Sequence, residues 1–235
     1  MSKSSAAGFR SPAAGTQAIQ RAVALLKRIA VGNRSGVRLI DLCRTLEMER
    51  PTAHRILQGL VAEGMVRQDE KSRRYYLGPL LYEMGLAAAP RPSLRDICHP
   101  HLQEIANQTG DTTFLTIRSG LDSVCIDRAE GAFAIKVFVL EIGLRRPLNV
   151  GAGPLAIFSA LDDDEIDRIF KVNRERTLEK YPHYSEDWVR KQISLARTRG
   201  YVVVDAVELQ GVRSVAIPIR DNQDKPIAAI SVSTL

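Results

Sequence analysis

The sequence has few cysteines and no long apolar run, and both shortages exclude classes of protein. Its three cysteines are far apart and have no CxxC spacing, which argues against a disulfide framework or a zinc knuckle. Apolar runs such as 201–204 are only long enough for a strand, so we expect no membrane span. Residues 1–16 lack the apolar core of a signal peptide. We therefore expect a disordered tail over residues 1–15 and a cytoplasmic location.

Positive charge is concentrated in the first third of the chain. The whole chain carries +6, but residues 1–75 hold 14 Lys and Arg against 6 Asp and Glu, a balance of +8. The remaining residues hold 19 against 21, a balance of −2. A basic region joined to a nearly neutral one predicts that the first binds a polyanion and that the second has another task. Charge alone leaves open the alternative of a solvated basic face.

Apolar periodicity predicts two helices in the basic region, separated by a break over 32–36. The first helix would bury Ile19, Ala22, Val23, Leu26, Ile29 and Ala30, and the second Leu39, Leu42, Cys43 and Leu46. A four-residue turn over 47–50 then leads to Pro51, which suits the first position of a third helix. Two short helices joined by a tight turn predict a helix-turn-helix.

The third helix has one apolar and one polar side. Its core side would contain Ala53, Ile56, Leu57, Leu60 and Val61. Its long polar side chains project the other way, near its start, where helix-turn-helix proteins contact base edges in the major groove. Arginine can pair with guanine and glutamine with adenine. A merely solvated polar face is the alternative for this helix taken alone.

A basic hairpin is predicted directly after this helix. Residues 65–68 and 75–77 have strand character, and the loop 69–74 between them contains Lys71, Arg73 and Arg74. Three helices followed by such a hairpin indicate a winged helix-turn-helix over residues 16–78. The basic loop, or wing, would contact phosphates and add affinity without sequence information.

The motifs of this region resemble the N-terminal domain of IclR-family bacterial transcriptional regulators. The pieces that carry the resemblance are Gln20–Ala22, Thr52–Arg55, Glu63–Gly64 and Tyr76–Gly78, and further blocks at 143–153, 199–219 and 227–233 resemble the family's effector-binding domain. The resemblance implies a sequence-specific regulator, either repressor or activator, that binds a double-stranded DNA operator. The candidate DNA contacts are Arg21, Arg50, Thr52, His54, Arg55, Gln58, Lys71, Arg73 and Arg74.

Residues 79–92 predict a linker helix and hinge. The helix would start at Pro79 and break at Pro90 and Pro92, and it carries an apolar stripe over Leu80, Leu81, Met84 and Ala88. Burial of this stripe across a two-fold axis would pair two DNA-binding heads. Packing inside one chain is the alternative. The resemblance favours a homodimer or a dimer of dimers.

Residues 93–235 predict an α+β effector-binding domain with an antiparallel sheet, which the resemblance implies is GAF-like or PAS-like. Ser93 would cap a helix that ends at Gly110, and strands are expected over 112–118, 123–129 and 132–140. Helices are then expected over 154–161, 163–171 and 186–199, and strands over 201–207, 212–217 and 227–232.

A glycine pair and several hydroxyls predict where an effector would bind. Gly151–Gly153 precede a helix, whose free N–H groups and positive end suit an anion. Ser231 and Ser233 lie two apart on a strand and share a face. These groups suit a small organic acid, with Asp205 accepting from a ligand hydroxyl. The resemblance adds neighbouring strands, so the candidates are Gly151, Ala152, Gly153, Cys125, Asp205, Ser214, Ser231 and Ser233.

Enzymatic readings have weaker support, and we expect neither a catalytic residue nor a cofactor. Cys98, His99 and His101 lack good metal spacing because Pro100 disrupts the first helical turn. The acidic cluster over 162–165 is ordinary helix-start chemistry. Cys125, placed with Asp127 on one strand face, lacks a motif for a base.

A nucleoid-type DNA binder is a further alternative, but it would need no elaborate C-terminal sheet. Relatives in this family commonly carry His where this chain has Asn149, which leaves the effector's identity open.

Overall fold

The computed structural model describes residues 16–88, 92–206 and 209–235. They form two compact units that divide at residues 89 and 90, and each has its own apolar core. The tail predicted over 1–15 and the break predicted at Pro90 lie outside the described residues. No helix within those residues is both long and apolar enough to cross a membrane.

The first unit is a winged helix-turn-helix, as predicted, followed by a further helix. Its core joins Leu25, Leu42, Leu57 and Tyr75 from successive elements. The elements are α1 Gln17–Val31, α2 Leu39–Thr45, α3 Arg50–Ala62, β1 Val66–Gln68, β2 Tyr75–Leu77 and α4 Pro79–Ala88.

The core-facing side of α1 differs from the prediction. Leu25 and Ile29 are fully buried, whereas Ile19 and Val23 are exposed. Of the other predicted residues, Ala22 and Leu26 pack against the core. Apolar residues cover more than one side of this helix, so periodicity alone selected a face that overlaps only partly with the buried one. The turn after α2 also comes one residue earlier than expected, over 46–49.

The second unit is an antiparallel sheet with helices on both faces. Its six strands lie in the order β5-β4-β3-β8-β7-β6. Helix α5 packs on β3 and β4, while α6 packs on β7, β8 and β3. Ala228 faces the α5 cluster and its neighbour Ala229 faces the α6 cluster, as expected for alternate residues of a strand. The elements are α5 Leu94–Thr109, β3 Thr112–Ser119, β4 Asp122–Glu130, β5 Arg145–Pro147, α6 Ala152–Ser159, α7 Asp163–Lys180, α8 Glu186–Arg199, β6 Val202–Asp205, β7 Arg213–Arg220 and β8 Pro226–Thr234.

The strand predicted over 132–140 is wrong. That segment has no regular structure, and the partner of β4 on this side is instead the short strand β5. The backbone of Cys125 pairs with residues just before β5, because its N–H donates to Leu144 O and its carbonyl accepts from Gly143 N–H. Segment 132–140 therefore keeps its apolar pattern without pairing as a strand.

A bulge in β4 corrects the expected relation between Cys125 and Asp127. Leu115 pairs with Asp127 and Thr116 with Cys125, so Ile126 is an extra residue in the ladder. Cys125 consequently lies in an apolar cluster with Phe114, whereas the Asp127 carboxylate faces α5. The two side chains do not share a strand face.

Candidate functional site: a basic surface and a buried polar cavity

Helix α3 presents one apolar and one polar side, as the sequence predicts, except that Val61, predicted in the core, is exposed. Ala53, Leu57 and Leu60 are buried in the core of the first unit. Arg55 and Gln58 are exposed on the opposite side. Helix α3 therefore offers the exposed donor and acceptor groups that base-edge recognition needs.

The remaining candidate DNA contacts of the three helices lie at the start of α3 and on α1. Thr52 and His54 are half-buried near its start, and Arg50 is exposed as its first residue. Arg21 is half-buried on α1. Helix α3 also has Pro51 in its first turn, which suits a helix start because proline's missing N–H has no helical acceptor there.

The hairpin loop is internally ordered. Asp69 Oδ1 accepts from Ser72 N–H at 2.7 Å and from Ser72 Oγ at 2.6 Å. These bonds, the side-chain bond first, hold the pKa of Asp69 below its usual range. Arg73 adopts a left-handed backbone with φ of 56°, and Lys71 and Arg73 are exposed. The loop thus holds two basic side chains outward on a fixed turn.

Arg74 differs from these two because its guanidinium is already engaged. Its Nη1 donates to Gly36 O at 2.8 Å and to Ser35 O at 3.4 Å. Tyr76 Oη also donates to Ser35 O, at 3.3 Å. A Cβ at Gly36 would lie 2.4 Å from the Tyr76 ring, so this close approach requires glycine. Arg74 ties the hairpin to the turn between α1 and α2.

A small, mostly buried cavity in the second unit brings together seven of the eight candidate effector residues. Its lining includes the start of α6 and parts of β5, β6, β7 and β8. Cys125 is not part of the lining and lies in an apolar cluster with Val139 and Leu140, which do line it. The lining residues are Val139, Leu140, Arg146, Gly151, Ala152, Gly153, Pro154, Val204, Asp205, Ala206, Ser214, Ser231 and Ser233.

Glycines shape the cavity at the start of α6. Gly151 caps the helix with φ of 93° and ψ of 163°, a conformation nearly confined to glycine. A Cβ at Gly153 would lie 3.1 Å from Thr116 Oγ1 and 3.7 Å from Ser231 Oγ. Because Pro154 has no N–H, the amides that this helix start can offer a ligand come from the residues before it.

Three serine hydroxyls line the cavity, those of Ser214, Ser231 and Ser233, and Thr116 lies beside it against Gly153. Ser214 Oγ and Ser233 Oγ are hydrogen-bonded to each other at 2.7 Å. Thr116 Oγ1 is fully buried, and within the described parts of the chain it has no hydrogen-bond partner. An unsatisfied buried hydroxyl costs free energy, so it favours any ligand that can bond with it.

Asp205 lies at the rim of the cavity. Its side chain is 79% exposed, and Oδ1 accepts from Arg213 Nε at 3.0 Å. The carboxylate therefore faces solvent and an arginine more than the buried floor.

Arg146 is the residue of the cavity that sequence reasoning missed. It lies on β5, is only 6% exposed, and donates from Nη2 to Val139 O at 2.6 Å. Its Nη1 lies 3.4 Å from the position a Cβ on Gly151 would occupy. The neighbouring Arg145 instead bonds Ser119 and Asp122. Two adjacent arginines on a three-residue strand give no sequence signal that one of them is buried.

Asn149 points away from the cavity. Its side chain is buried and its Oδ1 accepts from Thr177 Oγ1 of α7 at 3.3 Å. The residue at this position therefore contacts α7 and is not part of the cavity lining.

The alternative enzymatic sites gain no support from the geometry. His99 Nδ1 lies 2.8 Å from Asp127 Oδ2, and Arg95 Nε lies 3.3 Å from Asp127 Oδ1. These contacts neutralise a buried carboxylate. Among the residues the structure describes, no cluster of three or more metal-binding side chains occurs. Burial raises the pKa of the Cys125 thiol to about 12, which leaves it protonated and a poor nucleophile.

Comparison with known proteins shows similarity along both units. Residues 18–70 match the IclR helix-turn-helix domain, and residues 87–235 match the family described as bacterial transcriptional regulator IclR, C-terminal. The HTH-type transcriptional regulator BhcR of Paracoccus denitrificans is 31% identical, over 93% of this chain and 77% of that protein.

Solved structures show the same fold. An IclR family transcriptional regulator from Brucella abortus has a TM-score of 0.75 at 22% identity, covering 92% of this chain and 81% of that one. An IclR homolog from Microbacterium hydrocarbonoxydans, complexed with 4-hydroxybenzoate, has a TM-score of 0.68 at 21% identity. The match covers 93% of this chain and 89% of that one.

Proposed function

Because this chain belongs to the IclR family of DNA-binding bacterial transcriptional regulators, we propose that the first unit recognises an operator and that a small organic acid bound in the second unit changes this recognition. The first unit, with α4 after residue 78, serves as the DNA-binding head and linker. Residues 93–235 serve as the effector-binding domain. Repression and activation are both compatible with this arrangement.

The exposed side of α3 supports the assignment of sequence recognition. Arg55 and Gln58 would contact base edges in the major groove, since these side chains can pair bidentately with guanine and adenine. Thr52, His54 and Arg50 would contact bases or phosphates near the start of the helix. Lys71 and Arg73 on the hairpin loop would contact phosphates, with Arg21 adding a contact from α1.

The cavity supports the assignment of an organic acid. The single observation that carries this proposal is the set of groups that converge there: the start of α6, the hydroxyl of Ser231 and a buried arginine, with the unpartnered hydroxyl of Thr116 beside them against Gly153. These are donors, and donors converging on one buried place suit a carboxylate. The homolog complexed with 4-hydroxybenzoate is a carboxylate-binding protein of the same fold. Asp205 at the rim would accept from a hydroxyl of the ligand.

Helix α4 supports the assignment of a homodimer or dimer of dimers. None of its residues is buried within the described structure, and Tyr82, Met84 and Leu86 are exposed apolar side chains. A partner copy of α4 would cover them and pair two heads for a two-fold symmetric operator.

Selection from random-sequence duplexes tests DNA recognition. The full chain is mixed with the library, and bound duplexes are amplified and sequenced over several rounds. We expect enrichment of one motif with two half-sites in inverted orientation. A final pool as random as the starting library would rule out sequence-specific recognition.

Thermal unfolding with matched acids and amides tests the effector. A ligand that binds only the folded chain raises its unfolding temperature by mass action. We expect a saturable rise with one or more small carboxylates, and none with the corresponding amides. The double variant Ser231→Ala, Ser233→Ala should lose this rise but bind the selected duplex normally in the absence of ligand. A wild-type response in that variant would place the site elsewhere.

A further inference from the structure

A buried arginine shares the cavity with the positive end of a helix. Arg146 lies on β5 and its Nη1 approaches Gly151, the residue that caps α6. The unpaired N–H groups at a helix start carry roughly half a positive charge. Two positive features that converge on one buried place favour an anion between them, because attraction is strong where water is excluded.

The same arginine holds one side of the cavity in place. Its Nη2 donates to Val139 O at 2.6 Å, and Val139 belongs to the irregular segment 132–144 instead of to the sheet. Val139 and Leu140 line the cavity. The hydrogen bond between a charged guanidinium and a backbone carbonyl therefore fastens this segment over the start of α6.

The cavity is too small in this arrangement for an organic ligand. The space in it that is open to water is only ≈ 20 Å³, roughly enough for a single water molecule. A ligand with several heavy atoms requires the lining to move. Val139 and Leu140 of segment 132–144 lie outside the helices and strands, so this side of the lining can move at a lower cost than α6 or the sheet.

We propose that Arg146 is the specificity-determining residue of the cavity and that it selects compact aliphatic carboxylates. The ligand carboxylate accepts from Arg146 in place of Val139 O, and from the amides at the start of α6. Thr116 and Ser231 donate to a second oxygen of the ligand. Loss of the bond to Val139 releases segment 132–144, so occupancy and movement of that segment are linked. This inference rests on the proposed effector site and names its ligand class.

The small size of the cavity and the charge of Arg146 together define this ligand class. The apolar lining residues Val139, Leu140 and Val204 leave little polar surface beyond the arginine, the hydroxyls and the start of α6. A two- to four-carbon acid can place its carboxylate on the arginine and needs less displacement of the lining than an aromatic acid. A neutral amide of equal size offers no charge to the guanidinium and leaves it bonded to Val139.

Calorimetric titration of the full chain with acetate, glyoxylate and succinate, and with acetamide and succinamide, tests the proposal. The test variants are Arg146→Leu and Arg146→Gln, which remove the charge in two ways. The control is Arg145→Leu, which removes a charge from the same strand but does not line the cavity. Thermal unfolding without ligand establishes which variants fold. One folded Arg146 variant is enough to test whether the charge is needed for binding.

We expect at least one acid to bind the wild type and the Arg145 variant alike, and the amides to bind neither. Loss of the charged hydrogen bonds should weaken binding to the Arg146 variants by about ten- to hundredfold. Amide hydrogen exchange over 132–144 should quicken with the acid in the wild type, and should be fast without ligand in the Arg146 variants.

Three distinct outcomes overturn the proposal. If the Arg146 variants bind the acid as tightly as the wild type, or the amides bind as well as the acids, Arg146 does not select the ligand, although the effector site stands. If only larger acids such as 4-hydroxybenzoate bind the wild type, the size class is wrong. If no acid binds at all, the effector half of the proposed function falls with it.

Discussion

At the scale of single residues, we propose that α3 and the hairpin loop make different kinds of DNA contact. Arg55 and Gln58 are exposed on a helix that can enter the major groove, while Lys71 lies on the loop. We expect Arg55→Ala and Gln58→Ala each to lose about 1–3 kcal/mol of discrimination between the selected operator and a scrambled duplex. Lys71→Ala should weaken binding to both duplexes. It should also reduce the dependence of log affinity on log salt concentration by about one phosphate contact.

Arg74 is the matched control for Lys71. Both are basic residues of one loop, but Arg74 donates to the carbonyls of Ser35 and Gly36. Arg74→Ala should lower the free energy of unfolding by about 1–3 kcal/mol, since two carbonyls lose a charged donor. Fluorescence anisotropy across salt concentrations and urea unfolding measure the two effects. Equal salt slopes for all the variants would contradict this division of roles.

Cysteine reactivity is a residue-scale consequence of burial. Burial raises the pKa of Cys125 to about 12, and that of Cys98 in the same direction, so both stay protonated near pH 8. Only the thiolate reacts quickly. We expect a thiol reagent to label the half-buried Cys43 first in the native chain, and Cys125 only in denaturant. Peptide mapping by mass spectrometry reports this, and rapid native labelling of Cys125 would contradict it.

The pH dependence of stability follows from the same raised pKa. The unfolded chain loses the Cys125 proton near the ordinary thiol pKa, while the folded chain keeps it up to about 12. The stabilising contribution is therefore complete below the ordinary value and is lost as pH rises towards 12.

At the scale of elements, the helices and strands that could be predicted were those marked by capping residues, turn residues or apolar periodicity. Ser93 caps α5 through a bond from Asp96 N–H, and Gly110 ends it in a left-handed conformation, both of which the sequence indicated. The three helices and the hairpin likewise follow from periodicity and turn residues. The other elements depend on strand pairing between residues that are far apart in the sequence. Segment 132–140 has strand-like composition, but β4 pairs with β5 instead, and no local pattern revealed the bulge at Ile126.

The bulge makes Asp127 a structural link between β4 and α5. Its carboxylate is 1% exposed and is bonded by His99 and Arg95, which are about half exposed. Asp127→Ala should lower the free energy of unfolding by about 1–3 kcal/mol, the range for hydrogen bonds to charged groups. Glu130→Ala, which removes a more exposed pair with Arg128 on the same strand, should cost at most about 1 kcal/mol. Urea unfolding that ranks them in the opposite order would contradict this role.

At the scale of the whole molecule, the proposed assembly depends on α4. The variant Met84→Glu with Leu86→Glu places two charges among its exposed apolar side chains. We expect sedimentation of this variant to shift towards the monomer, and its operator affinity to fall by about 10²- to 10⁴-fold as avidity is lost. Glu83→Gln, on the same helix, should change neither. A variant that still sediments with the wild type would show that α4 does not hold the copies together.

The candidate site shows the same division between local and long-range information. The start of α6 and the serines of β8 were recognisable because the sequence places glycines before a helix and hydroxyls two residues apart. Arg146 was not, because its burial depends on Val139 and Gly151, which approach it only through the fold. The family gave the architecture, and the fold identified the charged residue of the cavity.

The most direct test of the central claim is the operator affinity of the full chain with and without a saturating carboxylate. Two linked sites must affect each other equally, so the acid should change the operator Kd by the factor by which the operator changes the Kd of the acid. We expect a change of about 5- to 150-fold in the wild type, and none in Arg146→Leu. An operator Kd that stays the same while the acid demonstrably binds the wild type would show that the two units are not coupled, and would contradict the account.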